Sequence, residues 1–447
     1  PPPVEPIIDF EAITALFSQA DREGRDFLYE YETYTLLERS GAETPPRTHL
    51  LAKGTRPSDE VLTAMPGDRV VLKIVSPTII HKTEAGGVRV VEKTPDKIRS
   101  AWRRMLYEVP ETCASLIERD PAHGVAAYRG LRGEELVQAI SADIRGVLMV
   151  QYMPPDSEAF GNEMIVGIRN TREFGMVISA GLGGTDTELY AERFRKGQAI
   201  VAASTAMTSS DDFFARFRRT ISYRKLAGLT RGQRRIVTNE QLIECFASLI
   251  AMANTYSPAN PETPYVIEEL EINPFAFTDY LMVPLDGMCR FTTPSPLPSP
   301  RPCQKIQHLL HPRTIGLVGV STTRINFGRI IMGNILANGF AADRLCIVRP
   351  GLDRFEGIAC VPEVAALDEK LDLLVVAIGA NQVPELVDQV IDADAAHAVM
   401  LIPGGMGETD ESRERAAAVM AKMDAAHGRG DGGPVFLGAN SLGVISH

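Results

Sequence analysis

The sequence lacks the features that mark several large classes of protein. Its six cysteines are scattered and form no CxxC pair, so we expect reduced thiols and no zinc site. No apolar run approaches the ~20 residues of a membrane helix, and the first residues, PPPVEP, lack the basic region and apolar core of a signal peptide. A net charge of −11 disfavours a broad nucleic-acid surface. We therefore expect a cytoplasmic protein with no nucleic-acid or membrane partner.

The length and the two ends of the chain bear on its domain organisation. With 447 residues, of which 45% are hydrophobic and 23% charged, the sequence is ordinary for a globular protein. That length predicts about three domain-sized units of ~150 residues. The chain starts at Pro1 rather than at a methionine and stops at His447, directly after a strand-like run. We therefore expect a trimmed chain or a part of a longer polypeptide.

One segment divides the chain. Proline alternates with serine and threonine in TTPSPLPSPRP at 292–302, and this composition predicts a semi-rigid linker because proline favours extended backbone. The predicted organisation is an N-terminal extension at 1–24, a domain of two subdomains at 25–291, a linker at 292–304 and a C-terminal domain at 305–447.

The two domains show different patterns. In the C-terminal domain, short apolar runs such as TIGLVGVS (314–321) alternate with amphipathic helical stretches, which predicts an α/β fold with a parallel, doubly wound sheet. Ligands of such sheets bind at the carboxyl ends of the strands. Because GxGxxG is missing, an ordinary NAD site is disfavoured there. The N-terminal domain mixes strands, such as the predicted RVVLKIV (69–75), with helices, such as the predicted amphipathic EYETYTLLERSGA (30–42), which predicts α+β subdomains.

A lysine-bearing strand and the loop after it form the first candidate binding segment. In VVLKIVSPTIIHKTEAGGVRVV, Lys73 lies on a predicted strand, and His81, Lys82, Gly86 and Gly87 follow in a polar loop. Paired glycines let backbone N–H groups approach an anion, to which lysine adds positive charge. The alternative is a hairpin with a surface histidine.

Two further segments supply a second glycine loop and candidate oxygen ligands. ISAGLGGTDTELY places Gly183 and Gly184 after a strand, although many such loops are only turns. EELEINPFAFTDYLMVPLDGMCRF offers Asn273 and, on the next predicted strand, Asp286. Such oxygens suit Mg²⁺, which fills its remaining positions with water and nucleotide phosphates. The alternative is a hairpin with solvated acidic side chains.

Together these segments resemble the ATP-grasp half of the ADP-forming (NDP-forming) acyl-CoA synthetases, which include acetate–CoA ligases and belong to the succinyl-CoA synthetase superfamily. The resemblance covers nearly all of 25–291 and rests on HKTEAGGV, GLGG, LAGLTRG and ELEINPF. It implies an ATP-grasp fold in which Lys73 contacts ATP phosphates. It also implies that Asn273 and Asp286 hold Mg²⁺ and that Glu271 supports this metal site.

The same resemblance implies a catalytic role for His81, which matches a histidine that relays a phosphoryl group in ADP-forming acetyl-CoA synthetases. A neutral imidazole nitrogen is a good nucleophile near pH 7 and forms a phosphoramidate. Magnesium and lysine would neutralise charge on the transferring group. The implied nucleotide-binding residues are Lys73, Lys82, Gly86, Gly87, Gln151, Glu163, Gly183 and Gly184.

The C-terminal domain resembles the Rossmann-like CoA-binding domain of the same superfamily. The resemblance covers about 308–446 and rests on HPRTIGLVGVS, LIPGGMGE and LGANSLGVIS. Where relatives carry Asn-Pro-Lys this chain has Arg-Pro-Gly, so Arg349 is the candidate partner of a CoA phosphate. A generic nucleotide-type fold with an altered site is the alternative. The implied CoA-binding residues are Gly319, Ser321, Arg349, Ile378, Gly404 and Glu408.

The resemblance also predicts partners. The family needs a ligase domain with a second histidine, and no C-terminal histidine of this chain lies in such a motif, so we expect a ligase domain or subunit as a partner. The implied activity joins a small carboxylic acid to CoA while ATP becomes ADP and phosphate, in an oligomeric enzyme. Two alternatives stay open: a CoA- or nucleotide-sensing module without catalysis, and another ATP-grasp ligase.

Overall fold

The computed structural model describes residues 6–41, 44–79, 82–156, 161–184, 198–232, 234–295 and 300–444. The chain divides into two compact units, Pro1–Ser295 and Pro296–His447. Within the described ranges, no helix is both long enough and apolar enough to cross a membrane. Helices and strands are numbered below in chain order.

The first unit contains two antiparallel sheets. Its strands are β1 (Phe27–Leu28), β2 (Thr48–Ala52), β3 (Arg69–Val75), β4 (Val88–Glu92), β5 (Gly146–Gln151), β6 (Met164–Thr171), β7 (Gly175–Leu182), β8 (Ile200–Ser204), β9 (Val266–Thr278), β10 (Leu281–Pro284) and β11 (Gly287–Thr292). The larger sheet has the order β1-β11-β9-β6-β7-β8, with β10 paired to β9. The smaller sheet has the order β2-β5-β3-β4.

Helices cover both sheets of the first unit. They are α1 (Phe10–Arg22), α2 (Glu30–Arg39), α3 (Asp59–Thr63), α4 (Pro95–Arg119), α5 (Gly133–Asp143), α6 (Ser210–Phe217), α7 (Ile221–Leu226) and α8 (Asn239–Thr255). Phe17 of α1, Phe213 of α6 and Phe246 of α8 are buried in the same apolar cluster as the larger sheet. Trp102 of α4 and Ile140 of α5 are buried with the smaller sheet. Each sheet therefore has its own core, as expected of two subdomains.

The second unit is built on one sheet. Its strands are β12 (Ile315–Val318), β13 (Leu345–Val348), β14 (Arg354–Phe355), β15 (Ile358–Val361), β16 (Leu371–Val376), β17 (Ala396–Leu401) and β18 (Val435–Leu437). Its helices are α9 (Ile306–Leu310), α10 (Phe327–Ala337), α11 (Val383–Asp392) and α12 (Asp410–His427). The strand order is β14-β15-β13-β12-β16-β17-β18, and all neighbours are parallel except the β14–β15 pair.

The sequence pattern of the second unit agrees with this sheet. All six residues of β16 are buried, as expected for a central strand of a parallel sheet that is covered on both faces. Two apolar clusters pack on the sheet: one contains Val387 of α11 and Val419 of α12, and the other contains Met332 of α10. The predicted doubly wound architecture is therefore confirmed.

One predicted placement in the first unit is wrong. Asp286 was expected on a strand, but it lies in the break between β10, which ends at Pro284, and β11, which begins at Gly287. Both strands pair with β9, and within the break the Asn273 N–H still donates to the Asp286 carbonyl oxygen at 3.1 Å. Asp286 Oδ1 accepts from the neighbouring Gly287 N–H at 2.9 Å, and such local side-chain bonds to the backbone compete with regular strand structure.

Candidate functional site

A buried carboxylate lies between two lysines in the first unit. Glu30, the first residue of α2, accepts a hydrogen bond from Lys73 Nζ at 2.5 Å on one oxygen and from Lys82 Nζ at 2.7 Å on the other. Its side chain is 3% exposed, so solvent and salt screen these pairs little. Lys73 comes from β3 and Lys82 from the loop after it. The carboxylate therefore ties a strand, a loop and a helix together.

Further polar groups complete this arrangement. Tyr34, one helical turn after Glu30, places its Oη 2.8 Å from Glu30 Oε1 and 2.7 Å from the carbonyl oxygen of Leu285. Lys73 Nζ donates to the same Leu285 oxygen. The next residue, Asp286, is close enough for its charge to act on this group. The lysine cluster, as we name it, consists of Glu30, Tyr34, Lys73, Lys82 and Asp286.

Charge pairing sets the protonation of the lysine cluster. Burial alone would raise the pKa of Glu30, but the charges of Lys73 and Lys82 outweigh it and hold the pKa at about 2. Burial lowers the pKa of Lys82, and the Glu30 carboxylate more than offsets this, so the net shift is upward. Burial, followed by the Glu30 charge, raises the pKa of Asp286. Glu30 is therefore ionised and Lys82 is protonated at neutral pH.

The predicted metal ligands and the second glycine loop converge on one another. The Asn273 N–H donates to the carbonyl oxygen of Asp286 at 3.1 Å, and Asn273 Oδ1 accepts from the Gly184 N–H at 3.1 Å. The Gly183 N–H donates to the carbonyl oxygen of Glu163 at 3.1 Å. Burial raises the pKa of the Glu163 carboxyl. These contacts bring β9, the loop after β7 and the break before β11 to the same place.

The donor set fits a divalent cation. Asp286 and Asn273 offer side-chain oxygens, and Glu271 lies on β9 two residues before Asn273. Oxygen ligands of this kind suit Mg²⁺. Burial is the main cause of the raised pKa of Asp286, followed by the Glu30 charge, and a cation bound to Asp286 would favour its ionised form.

Glycine is required where the first loop turns back onto β3. The Gly87 N–H donates to the Lys82 carbonyl oxygen at 2.7 Å, and the Gly87 carbonyl accepts from Ile74 at 2.8 Å. A Cβ at position 87 would lie 2.6 Å from Ile74 Cγ2. Gly86 has a φ of +69°, which L-residues with side chains rarely adopt. The loop that carries Lys82 is therefore held against the strand that carries Lys73.

One predicted position, Gln151, is not brought to the lysine cluster. Gln151 pairs with Val70 between β5 and β3, and its Oε1 accepts from the Arg47 N–H at 3.2 Å. Within the described ranges, no hydrogen bond joins Gln151 to the lysine cluster, so its nucleotide role stays a prediction. His81 lies outside the described residues, as do residues 185–197 after the second glycine loop.

Sequence reasoning missed Glu30 and Tyr34. Both belong to a segment predicted as a plain amphipathic helix, yet Glu30, Tyr34 and Leu37 lie on one face at i, i+4 and i+7. All three are buried. A glutamate on the apolar face of a helix is a signal that could have identified a buried charge partner, because buried carboxylates need one.

In the second unit, predicted residues gather at the turn after β12. Gly319 has a φ of +96°, and a Cβ there would lie 2.7 Å from the carbonyl carbon of Ala377. Asn326 Nδ2 donates to the Gly319 carbonyl oxygen at 2.7 Å, and Asn326 Oδ1 accepts from the Ser321 N–H at 3.2 Å. Asn326 also caps α10. It was not among the predicted residues, although asparagine before an apolar helical run is a helix-start signal.

The neighbouring strand ends carry the other predicted coenzyme residues. Arg349, after β13, donates from Nη1 to the Val320 carbonyl oxygen at 2.8 Å. Ile378, after β16, borders Gly319, since a Cβ on that glycine would lie 3.1 Å from Ile378 Cγ2. Arg349 and Ile378 therefore lie at the same edge of the sheet as the Gly319 turn, where ligands of parallel sheets bind.

The loop after β17 lies at the same edge of the sheet, on the other side of β16 from the Gly319 turn. Glu408 Oε2 accepts from the Met406 N–H at 2.5 Å. A Cβ on Gly404 would lie 3.4 Å from Glu408 Oε1 and 3.6 Å from Asn440 Oδ1. The Asn440 N–H donates to the Pro403 carbonyl oxygen at 2.9 Å. Gly404 and Glu408 are thus close together, and Asn440 is a neighbour that the sequence analysis did not include.

Curated proteins with similar sequences are CoA ligases. The chain is 22% identical over 429 residues to the ADP-forming acetate–CoA ligase II of Archaeoglobus fulgidus, which covers 94% of this chain and 52% of that protein. It is 29% identical over 214 residues to subunit beta of the ADP-forming acetate–CoA ligase I of Pyrococcus furiosus, covering 48% of this chain and 71% of that subunit. The chain therefore spans about half the length of the Archaeoglobus protein.

Among the solved structures that match this chain is Ca. Korarchaeum cryptofilum ACD1 in complex with coenzyme A, at 23% identity and a TM-score of 0.45 over 63% of this chain and 100% of that chain. Family models give the domain assignment. The model of the CoA binding domain matches residues 313–443. The model of the ATP-grasp domain matches residues 19–119 and 119–290, together more than half of the chain. This chain therefore belongs to the ATP-grasp domain family and carries a CoA-binding domain after its ATP-grasp domain.

Proposed function

We propose that this chain is the ATP- and CoA-binding part of an ADP-forming acyl-CoA synthetase. The proposed reaction joins a small carboxylic acid to the thiol of CoA and converts ATP to ADP and phosphate. Its sequence similarity to ADP-forming CoA ligases supports this activity. The similarity to a protein named as a subunit supports a partner, which would supply the ligase domain and its histidine in an oligomeric, cytoplasmic enzyme.

The lysine cluster is the observation that carries the proposal. The ammonium groups of Lys73 and Lys82 converge on one carboxylate, beside Asp286. Ammonium groups suit a triphosphate, which presents several anionic oxygens. Asn273 and Asp286 would hold Mg²⁺, which would further neutralise phosphate charge. Lys82 has three N–H donors, so a triphosphate oxygen can bind it while its bond to Glu30 persists.

His81 precedes Lys82 in the chain, and we assign it the phosphoryl relay. An imidazole nitrogen attacks the γ-phosphorus of ATP, the N–P bond forms, the bond to the β-phosphate oxygen breaks, and ADP leaves. Lys82 neutralises charge on the phosphates during this step. The phosphoryl group then passes to the carboxylate of the acid. The CoA thiolate attacks the resulting acyl phosphate, and phosphate leaves.

The second unit would bind CoA at the strand ends around Gly319. Backbone N–H groups of a glycine turn at the start of a helix attract phosphate groups, and Arg349 adds a guanidinium beside that turn. The proposed CoA contacts are Gly319, Ser321, Arg349, Ile378, Gly404 and Glu408.

Labelling with γ-³²P-ATP and Mg²⁺ tests the relay. We expect base-stable, acid-labile label on the wild-type chain and on His49→Ala, a control at an exposed histidine of the same unit. We expect at least a hundredfold less label on His81→Ala. ATP binding by that variant, measured by calorimetry, checks that it remains folded. A wild-type chain that binds ATP and takes no label, or equal labelling of His81→Ala, would contradict the assignment.

A further inference from the structure

Three metal-ligating side chains meet in the second unit, away from the strand ends that we assign to CoA. His308 lies on α9, Asp372 is the second residue of β16, and His397 is the second residue of β17. One donor atom of each lies within 4.8 Å of the donor atoms of the other two. Because both strands start here, the group lies at the amino ends of the parallel sheet, and the Gly319 turn lies at the carboxyl ends.

The contacts within this group are short, and Asp372 is buried while the two histidines are partly exposed. His308 Nδ1 lies 2.7 Å from Asp372 Oδ1, and the two imidazole rings are stacked with centroids 4.2 Å apart and an interplanar angle of 14°. The other oxygen of Asp372 accepts from the Arg313 N–H at 2.7 Å and from Arg313 Nε at 3.2 Å. Asp372 is therefore held by Arg313 while its Oδ1 faces the histidines.

One ring nitrogen in this group is not satisfied by a hydrogen bond. His397 Nδ1 is buried, and within the described residues it has no hydrogen-bond partner. A buried polar atom without a partner is unfavourable, so native proteins rarely keep one without a reason. Histidine binds metals through a neutral imidazole nitrogen.

We propose that His308, Asp372 and His397 bind a divalent transition metal of the Zn²⁺ class, with water as a fourth ligand. Two imidazoles and one carboxylate are a common ligand set for zinc. Arg313 would act as the outer partner that orients the carboxylate. The absence of a CxxC pair led us to expect no zinc site, but these ligands come from three elements that are distant in sequence.

Binding requires a modest rearrangement of the rings. Ligand atoms around tetrahedral Zn²⁺ are ~3.3 Å apart, given Zn–N distances of ~2.0–2.1 Å. A metal lies in the plane of each imidazole that binds it, so one of the stacked rings must turn about its Cβ–Cγ bond. The ion then replaces the hydrogen bond between His308 and Asp372 and adds a ligand bond to His397. It also links α9, the first helix of this unit, to two strands of its sheet.

Calorimetry on the untagged, chelator-treated full chain tests the site with ZnCl₂. We expect one equivalent to bind, at least tenfold weaker binding in His308→Gln and His397→Ala, and unchanged binding in His311→Ala. His311 is an exposed histidine three residues after His308, which makes it a matched control. The partly exposed His308 side chain keeps the test interpretable if His397→Ala fails to fold.

Thermal unfolding gives a second readout, because a ligand that binds only the folded state raises Tm. Zinc should raise the Tm of the wild-type chain and of His311→Ala, and the rise should be lost in His308→Gln. No binding by the wild type would show that the group is an ion pair with a stacked histidine and would overturn the proposal. Equal zinc binding by wild type and His308→Gln would also overturn it.

Discussion

Replacing Glu30 by glutamine tests whether charge holds the lysine cluster together. The amide keeps the shape of the carboxylate but leaves two ammonium groups without their shared, buried counter-ion. Removing one partner of a buried ion pair typically costs 3–5 kcal/mol because the remaining charge stays desolvated. We expect Glu30→Gln to lower the free energy of unfolding of the first unit by about 3 kcal/mol at pH 7.

The pH dependence gives an independent estimate of this cost. The pKa of Glu30 is lowered from 4.5 to about 2 on folding. A lowered pKa stabilises the folded state above pH 4.5, and this stabilisation is lost as the pH falls toward 2. The shift corresponds to about 3 kcal/mol at neutral pH, of which about 1 kcal/mol is lost by pH 3.5. The difference in the free energy of unfolding between wild type and Glu30→Gln should therefore be smaller at pH 3.5 than at pH 7 by that amount.

Urea unfolding followed by tryptophan fluorescence measures both effects. The sequence has one tryptophan, Trp102, which is buried on α4, so the signal reports on the first unit. Glu38→Gln, an exposed position on the same helix as Glu30, is the control and should change stability by less than ~0.5 kcal/mol. Equal stability of the two variants at pH 7, or a difference from wild type that does not change with pH, would refute the reasoning.

Two substitutions of glycine test the loops that form the proposed sites. Gly87→Ala should destabilise the first unit by about 1–3 kcal/mol, because its Cβ would lie 2.6 Å from Ile74 Cγ2, and unchanged urea unfolding would contradict this. Gly319→Ala should weaken CoA binding at least tenfold in calorimetry, because the positive φ and the contact with Ala377 force the turn to move. Gly333→Ala on α10, where an added Cβ meets nothing within 4 Å, should bind CoA like wild type.

Strands with strong local patterns could be predicted from the sequence, while one long helix could not. The run RVVLKIV was predicted as a strand at 69–75, and β3 has these bounds. No helix or strand was predicted at 95–119, a stretch rich in charged residues that contains Pro110. In the structure this stretch is the continuous helix α4, and Pro110 is buried within it. Packing of the Trp102 face against the smaller sheet thus outweighs the lost hydrogen bond of the proline.

The candidate site was predictable by residue type but not by pairing. Lysines, glycines and oxygen ligands in the three matched segments identified Lys82, Asn273 and Asp286. The partner of Lys73 is Glu30, which is 43 residues away in the sequence. Such a contact depends on how a helix packs against a sheet, and local periodicity carries no information about that packing. The same limit applies to the histidines around Asp372, which come from different elements.

The hydrogen bonds of the two lysines give them different parts in the proposed reaction. An ammonium group has three donors, and Lys73 Nζ already has three partners: Glu30, Tyr34 and the Leu285 carbonyl oxygen. Within the described residues, Glu30 is the one hydrogen-bond partner of the Lys82 side chain. Lys82 can therefore bind a phosphate oxygen and keep its bond to Glu30, whereas Lys73 must give up a bond to do so. This favours Lys82 as the residue that binds phosphate directly and Lys73 as the residue that positions Glu30 next to Lys82.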